Sequence, residues 1–163
     1  LKRIPLTKGK EALVDDCDYD YLMQWCWHAG KGGEYAVRDT RSLDRSRGTI
    51  LQMQDVVAKR HGLVGKVDHK NRNKFDNRFR NLRKATCSQN GANRTKQVNN
   101  TSGFKGVTWD KSRKKWKAQL KKNGRMVFQE RYPGTKAGKI QAAKAYNKAA
   151  VEHFGEFAYQ NPL

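Results

Sequence analysis

The alternation of apolar and polar positions is strictest in the last third of the chain. Trp116-Lys117-Ala118-Gln119-Leu120 reads as a half-buried strand, with 116, 118 and 120 on one face. Asn123-Gly124 follows, a type I′ hairpin signal because both residues accept positive φ. Gly106-Val107-Thr108-Trp109 before it and Met126-Val127-Phe128 after it complete three strands. Pro133-Gly134-Thr135 closes the third strand, and Thr135 can cap a helix. Ile140, Ala143, Ala145 or Tyr146, Ala149 or Ala150, and Phe154 then recur at helical spacing, with Gly155 as the stop. Many small alanines let such a helix lie close against the sheet.

The pattern ahead of this is more broken. Ala12-Leu13-Val14 predicts a strand, and Asp18 to Leu22 a short helix with Asp18 or Asp20 at its start. Trp25, Trp27 and Tyr35-Ala36-Val37 read as half-buried strands, with the two tryptophans on one core face. Loops are expected at 30–33 and 43–48, and a short helix over Met53–Arg60. From Val67 to Asn90 the chain turns polar: one imidazole and a few carboxylates and asparagines lie among arginines and lysines. Asn71, Asn73 and Asn93 fit loop formers. The run Asn99-Asn100-Thr101-Ser102-Gly103 marks a boundary, so the expectation is an α+β chain with domains at 1–98 and 102–163.

Charge narrows the partners. The 163 residues carry 35 Lys and Arg against 15 Asp and Glu, a formal net charge of +20, which favours a polyanion, most commonly nucleic acid. The acids of Glu11 to Asp20 keep that segment from facing DNA closely. No stretch approaches the roughly 18–20 apolar residues of a membrane span, and no signal peptide is visible. Cys17, Cys26 and Cys87 form no Cys-x-x-Cys pair, and free thiols suit a reducing cytosol. A first residue of leucine implies a missing or processed initiator region. Hard divalent cations prefer oxygen ligands, which Asp68 and Asn90 can supply, and His69 beside them can take a proton from water.

The polar run resembles the HNH nuclease motif, in particular its phage and intron-encoded homing branch. The matching words are Val67-Asp68-His69, Asp76-Asn77-Arg78, Asn81-Leu82-Arg83 and Ser88-Gln89-Asn90. The resemblance implies a ββα-metal core at about 60–96: two short antiparallel strands, an Ω-like loop between them, and a helix across them. It implies His69 as general base and Asp68 and Asn90 as ligands of one Mg²⁺ or Mn²⁺. Asn81 would orient the imidazole, and Asn77 would brace the loop. Arg72, Arg78, Arg80 and Arg83 would hold DNA. Many relatives hold structural zinc on paired cysteines; this chain lacks the pairs, so no structural zinc is expected. Gln54-Asp55 stands where relatives often have His-Arg. The opening 55 or so residues resemble the small antiparallel sheet that precedes the motif in many phage endonucleases and touches DNA.

The last part resembles the APETALA2-type DNA-binding domain. The words are Gly103-Phe104-Lys105-Gly106-Val107, Lys115 to Leu120, Ala142-Ala143-Ala145-Tyr146 and Phe154-Gly155-Glu156-Phe157-Ala158. That resemblance implies a three-stranded antiparallel sheet packed on one helix, its outward face in the major groove. Lys115, Lys117, Gln119 and Lys121 would point outward without compensating acid, and Lys105, Arg113 and Arg125 would add DNA contacts. The plant pattern is richer in arginine. Together the resemblances imply a metal-dependent homing endonuclease that hydrolyses double-stranded DNA, a monomeric site-specific nickase in a bacterial host's cytoplasm, associated with the nucleoid. The alternatives are a DNA-binding regulator on an inert HNH fold and a basic RNA-binding or ribosome-associated protein.

Overall fold

The structure, a computed structural model, describes residues 1–40 and 49–163. The expected loop at 43–48 lies outside the described residues. The fold is α+β, with four helices and several small antiparallel sheets among the described residues. It divides into two compact units, Leu1–Ala85 and Thr86–Leu163.

The first unit opens on a hairpin of β1 (Lys2–Pro5) and β2 (Glu11–Val14). Ile4, Ala12 and Val14 turn inward, the alternation expected of strands with one covered face. Helix α1 (Asp16–Leu22) follows. Three short strands, β3 (His28–Ala29), β4 (Ala36–Asp39) and β5 (Ile50–Gln52), form an antiparallel sheet in that order. Helix α2 covers Met53–Arg60, as its sequence predicts, and seats Met53, Val57 and Ala58 in the core. Strands β6 (Val67–His69) and β7 (Leu82–Lys84) pair antiparallel, with Asp68 opposite Arg83 and His69 opposite Leu82.

Two expectations need correction here. Helix α1 begins at Asp16, so Asp18 is inside it and fully buried, where Arg60 Nε (3.1 Å) and His61 Nε2 (2.9 Å) meet its carboxylate. A buried carboxylate needs such partners, and capping would have left it at the surface. Trp25 and Trp27 lie between α1 and β3 rather than in a strand. They still serve the core: Trp27 Nε1 donates to Leu22 O at 2.8 Å, satisfying a carbonyl at the end of α1. Trp25 packs edge-on against Tyr21.

The second unit begins with α3 (Cys87–Asn93), started by a capping box between Thr86 and Gln89. Strands β8 (Val107–Asp110), β9 (Lys115–Lys122) and β10 (Arg125–Tyr132) form the sheet β10-β9-β8. Asn123 and Gly124 both have positive φ, 51° and 80°, as their turn demands. Helix α4 (Lys136–Phe154) is capped by Thr135 and lies on the sheet, burying Ala142, Ala143, Tyr146 and Ala150. Ile140, expected on that face, is 43% exposed, because the buried stripe runs through Gly138, Ala142, Tyr146 and Ala150 and passes beside it. Gly106 has φ +73°, and a Cβ there would fall 2.1 Å from the Tyr146 ring, so no side chain fits.

Helix α3 packs against α4 and the 3₁₀ turn Gly155–Phe157, which draws it into this unit; the division falls ahead of it rather than at 99–101. The run 99–103 is a hydrogen-bonded knot, with Gly103 N (2.7 Å) and Ser102 Oγ (3.1 Å) both donating to Asn100 Oδ1.

Candidate active site

Adjacent residues on a strand face opposite ways, so β6 sends Asp68 and His69 in different directions. Both are about 95% covered. Across the ladder, Arg83 Nε and Nη2 each lie 3.0 Å from Asp68 Oδ2.

The imidazole is held by a side chain eight residues on. His69 Nε2 lies 3.1 Å from Asn77 Oδ1. The Asn77 amide nitrogen faces Phe75 O and Met53 Sδ at 3.4 Å each, which orients the oxygen toward the ring. An amide oxygen only accepts, so Nε2 carries the proton and, in the neutral ring, Nδ1 is the basic nitrogen. Burial pushes the His69 pKa down, outweighing the Asn77 bond and the charges of Asp68 and Asp76. Burial therefore favours the neutral ring.

The loop around Asn77 is zipped to the first hairpin. Leu13 N donates to Phe75 O and Asn77 N to Leu13 O, both at 2.8 Å. Asp76 is a buried anchor: Arg78 Nε (2.7 Å) and Nη2 donate to its two oxygens, and Asn71 Nδ2 donates at 2.8 Å. Burial raises its pKa, but the bonds and charge of Arg78 and the Asn71 amide hold it below the ordinary carboxylate value. Asn81 Nδ2 donates to Asp76 O (2.7 Å), and its Oδ1 accepts from Asn71 N (3.0 Å).

The two asparagine roles read from the sequence thus meet different contacts. Asn77, expected in the loop, touches the imidazole; Asn81, expected at the imidazole, ties the loop. The reason is the β2 zipper, which fixes residues 75–77 where Asn77 reaches Nε2. Nothing in the sequence of the first hairpin announced that task. Asn90 is half-buried on α3, in the second unit.

The candidate DNA-contacting arginines differ in what holds them. Arg72 and Arg80 are exposed, and Arg72 has positive φ in the loop. Arg78 is bound by Asp76, and Arg83 is buried against Asp68, so both also build the site.

Similarity to a known protein decides the family. The uncharacterized HNH endonuclease L560 of Acanthamoeba polyphaga mimivirus is 30% identical over 156 residues, 96% of this chain and 77% of that protein. The chain belongs to the HNH endonuclease family. Protein 3.8 of Escherichia phage T7 is 34% identical to this HNH chain over 59 residues, 36% of the chain and 49% of that protein. No family model matches the chain, and no solved structure matches it.

The second unit of this HNH protein sets out the remaining basic candidates. Register places Lys115, Lys117, Gln119 and Lys121 on the sheet face away from α4, while Ala118 and Leu120 are buried. That face does contain acid, against expectation: Asp110 pairs with Lys115 in register and accepts from Arg131 Nε at 3.0 Å. Arg131 first, then Ser112, hold the Asp110 carboxyl well below its usual range. Arg113 also reaches Asp110, and Arg125 is exposed at the hairpin. Lys105 is engaged internally: its ammonium donates to Gly91 O (3.0 Å), Ala92 O and Arg94 O (2.6 Å each) at the end of α3. A C-terminal lysine cap satisfies carbonyls the helix leaves open.

Cys17, Asp18 and His61 come within 4.8 Å of one another. Arg60 already neutralises Asp18 and His61 stacks on Phe79, so this cluster is a structural knot. Among the described residues no helix is long and apolar enough to cross a membrane.

Proposed function

We propose that this HNH protein is a metal-dependent endonuclease that hydrolyses phosphodiester bonds in double-stranded DNA. The observation that carries the reading is the buried His69, with Nε2 held by Asn77 Oδ1 and the imidazolium disfavoured by burial. His69 takes a proton from the attacking water. Asn77 positions the ring and holds its tautomer, and Asn81 keeps the loop that carries Asn77 in shape. Asp68 would be the carboxylate ligand for Mg²⁺ or Mn²⁺, because carboxylate oxygens are the hard donors such an ion prefers. The family motif implies Asn90 as a second oxygen ligand. When bound, the ion supplies electrostatic stabilisation of charge building on the phosphate and the departing 3′ oxygen. The products are a 5′-phosphate and a 3′-hydroxyl.

The sheet face of Lys115, Lys117, Gln119 and Lys121 supports an APETALA2-like role, with the second unit binding the duplex. One motif per chain and two dissimilar units support a monomer that nicks one strand. Plasmid nicking with Mg²⁺, with each strand of a linear target end-labelled separately, tests the whole reading. His69→Ala is expected to lower the rate by about 10² to 10⁴ while binding persists. A wild-type rate in that variant overturns the base assignment, and simultaneous cutting of both strands overturns the nickase. An inert regulator is disfavoured by the intact Asp68, His69 and Asn77 geometry.

A further inference from the structure

The second unit holds a cleft of about 820 Å³ that the nuclease reading leaves without a task. It lies where β8 begins and β9 ends, walled by α3 and the segment 94–100 and bounded by the Asn123-Gly124 turn. Asn123 N donates to Ser88 Oγ at 3.1 Å, which ties the turn to α3. The wall is built, not incidental: the Lys105 ammonium holds the carbonyls of Gly91, Ala92 and Arg94. Asn100 is fastened by Gly103 N and Ser102 Oγ.

The lining chemistry is one-sided. Arg94, Lys96 and Lys121 stand exposed on it, and none of the three is paired with a carboxylate among the described residues. No carboxylate is among the described residues that line it. Val107, Leu120 and Phe154 supply an apolar floor, and Gln97 and Gln119 offer amides that both donate and accept. Cations at the rim, an apolar floor and amides between them match the phosphates, ring faces and base edges of unpaired nucleotides. Binding pockets for small ligands run to about 300–1,000 Å³, so the space suits a couple of nucleotides and cannot enclose a duplex.

We propose that this cleft binds a short single-stranded DNA segment, as is exposed when a duplex opens beside a cut. The proposal rests on the reading that DNA is the partner, and it goes beyond that reading in naming a second site for the unpaired strand. Phosphates meet Arg94 and Lys96, and a base edge meets Gln97.

The test uses the full chain carrying His69→Ala, in EDTA, so that no strand is cut. A short fluorescein-labelled oligothymidylate and a labelled duplex are titrated by anisotropy over a range of salt. Arg94→Ala with Lys96→Ala is the diagnostic variant, because both side chains are exposed and neither lies on the outward sheet face. The oligothymidylate is expected to bind roughly tenfold more weakly to this variant, with a salt slope lower by about 0.7 for each phosphate left unneutralised. Duplex affinity is expected to stay within about twofold. Equal weakening for both ligands, or no weakening for either, overturns the cleft. A 4-thiothymidine oligonucleotide gives a second readout: crosslinks at 94–97 support the proposal, and crosslinks confined to other segments overturn it. If the wild-type chain cuts no DNA yet passes these tests, the nuclease reading fails and the cleft stands.

Discussion

At the scale of single residues, the site turns on which atom of His69 is basic. Asn77 decides that by accepting from Nε2. Asn77→Ala removes the acceptor, and with His69 as the proposed base the rate is expected to fall by about 10- to 100-fold, the usual cost of losing a group that orients a working imidazole. Asn77→Asp keeps an acceptor but adds a negative charge, so the acid limb of the pH–rate profile moves to higher pH than in the wild type. A purely structural Asn77 would leave that limb where it was. In the wild type, burial disfavours the imidazolium, so the limb falls below the ordinary histidine value of 6.5. A bound divalent cation acts in the same direction. Stability follows the same sign. The folded pKa lies below the unfolded one, so unfolding takes up a proton. The contribution of neutral His69 is complete above pH 6.5 and is lost as pH falls through the folded value. An NMR titration of the His69 ring with a midpoint above 6.5 would contradict both statements.

At the scale of elements, close approach governs both units. In the first, β2 zips the 75–77 loop through backbone bonds and so sets the site from outside the motif. In the second, α4 reaches the sheet because its contact stripe is alanine and because Gly106 has no side chain. Gly106→Ala meets two penalties: positive φ and a methyl 2.1 Å from the Tyr146 ring. Together they are expected to cost roughly 2–4 kcal/mol. Urea unfolding followed by tryptophan fluorescence measures it; a midpoint shift equal to that of an exposed control such as Gly103→Ala would point to φ strain alone. Gly103 also has positive φ, but a methyl there meets nothing within 4 Å.

At the scale of the molecule, α3 belongs with the C-terminal sheet and helix. It carries Asn90, and its end is held by Lys105. Removing 102–163 therefore takes away its packing partners as well as the sheet. The truncated chain is expected to lose metal response along with DNA affinity, which a simple two-module division would not produce. Titrating cleavage against Mn²⁺ checks this: an unchanged metal midpoint in the 1–101 fragment would show that α3 stands without the second unit. The positive charge is weighted the same way. Residues 91–163 hold 16 basic and 4 acidic side chains, against 19 and 11 in residues 1–90. The fragment is expected to show a lower salt slope as well, by about 0.9 for each duplex phosphate it no longer neutralises.

Local chemistry made much of this legible in one dimension. The Asn123-Gly124 turn, the Thr135 cap, the Gly155 stop, helix α2 and the Lys115–Leu120 alternation follow from dihedral preference and periodicity, which neighbouring residues determine. The words around Asp68, His69 and Asn81 are contiguous and could be read directly. Tertiary structure decided what lies between distant residues: Asn77 rather than Asn81 against the imidazole, Asp76 as the loop's anchor, Asp110 on the basic sheet face, Lys105 on the end of α3. It also moved Asp18 from a cap to a buried ion pair and put α3 in the second unit. Each of these depends on which unpaired donors and charges packing brings together, and no spacing along the chain encodes that.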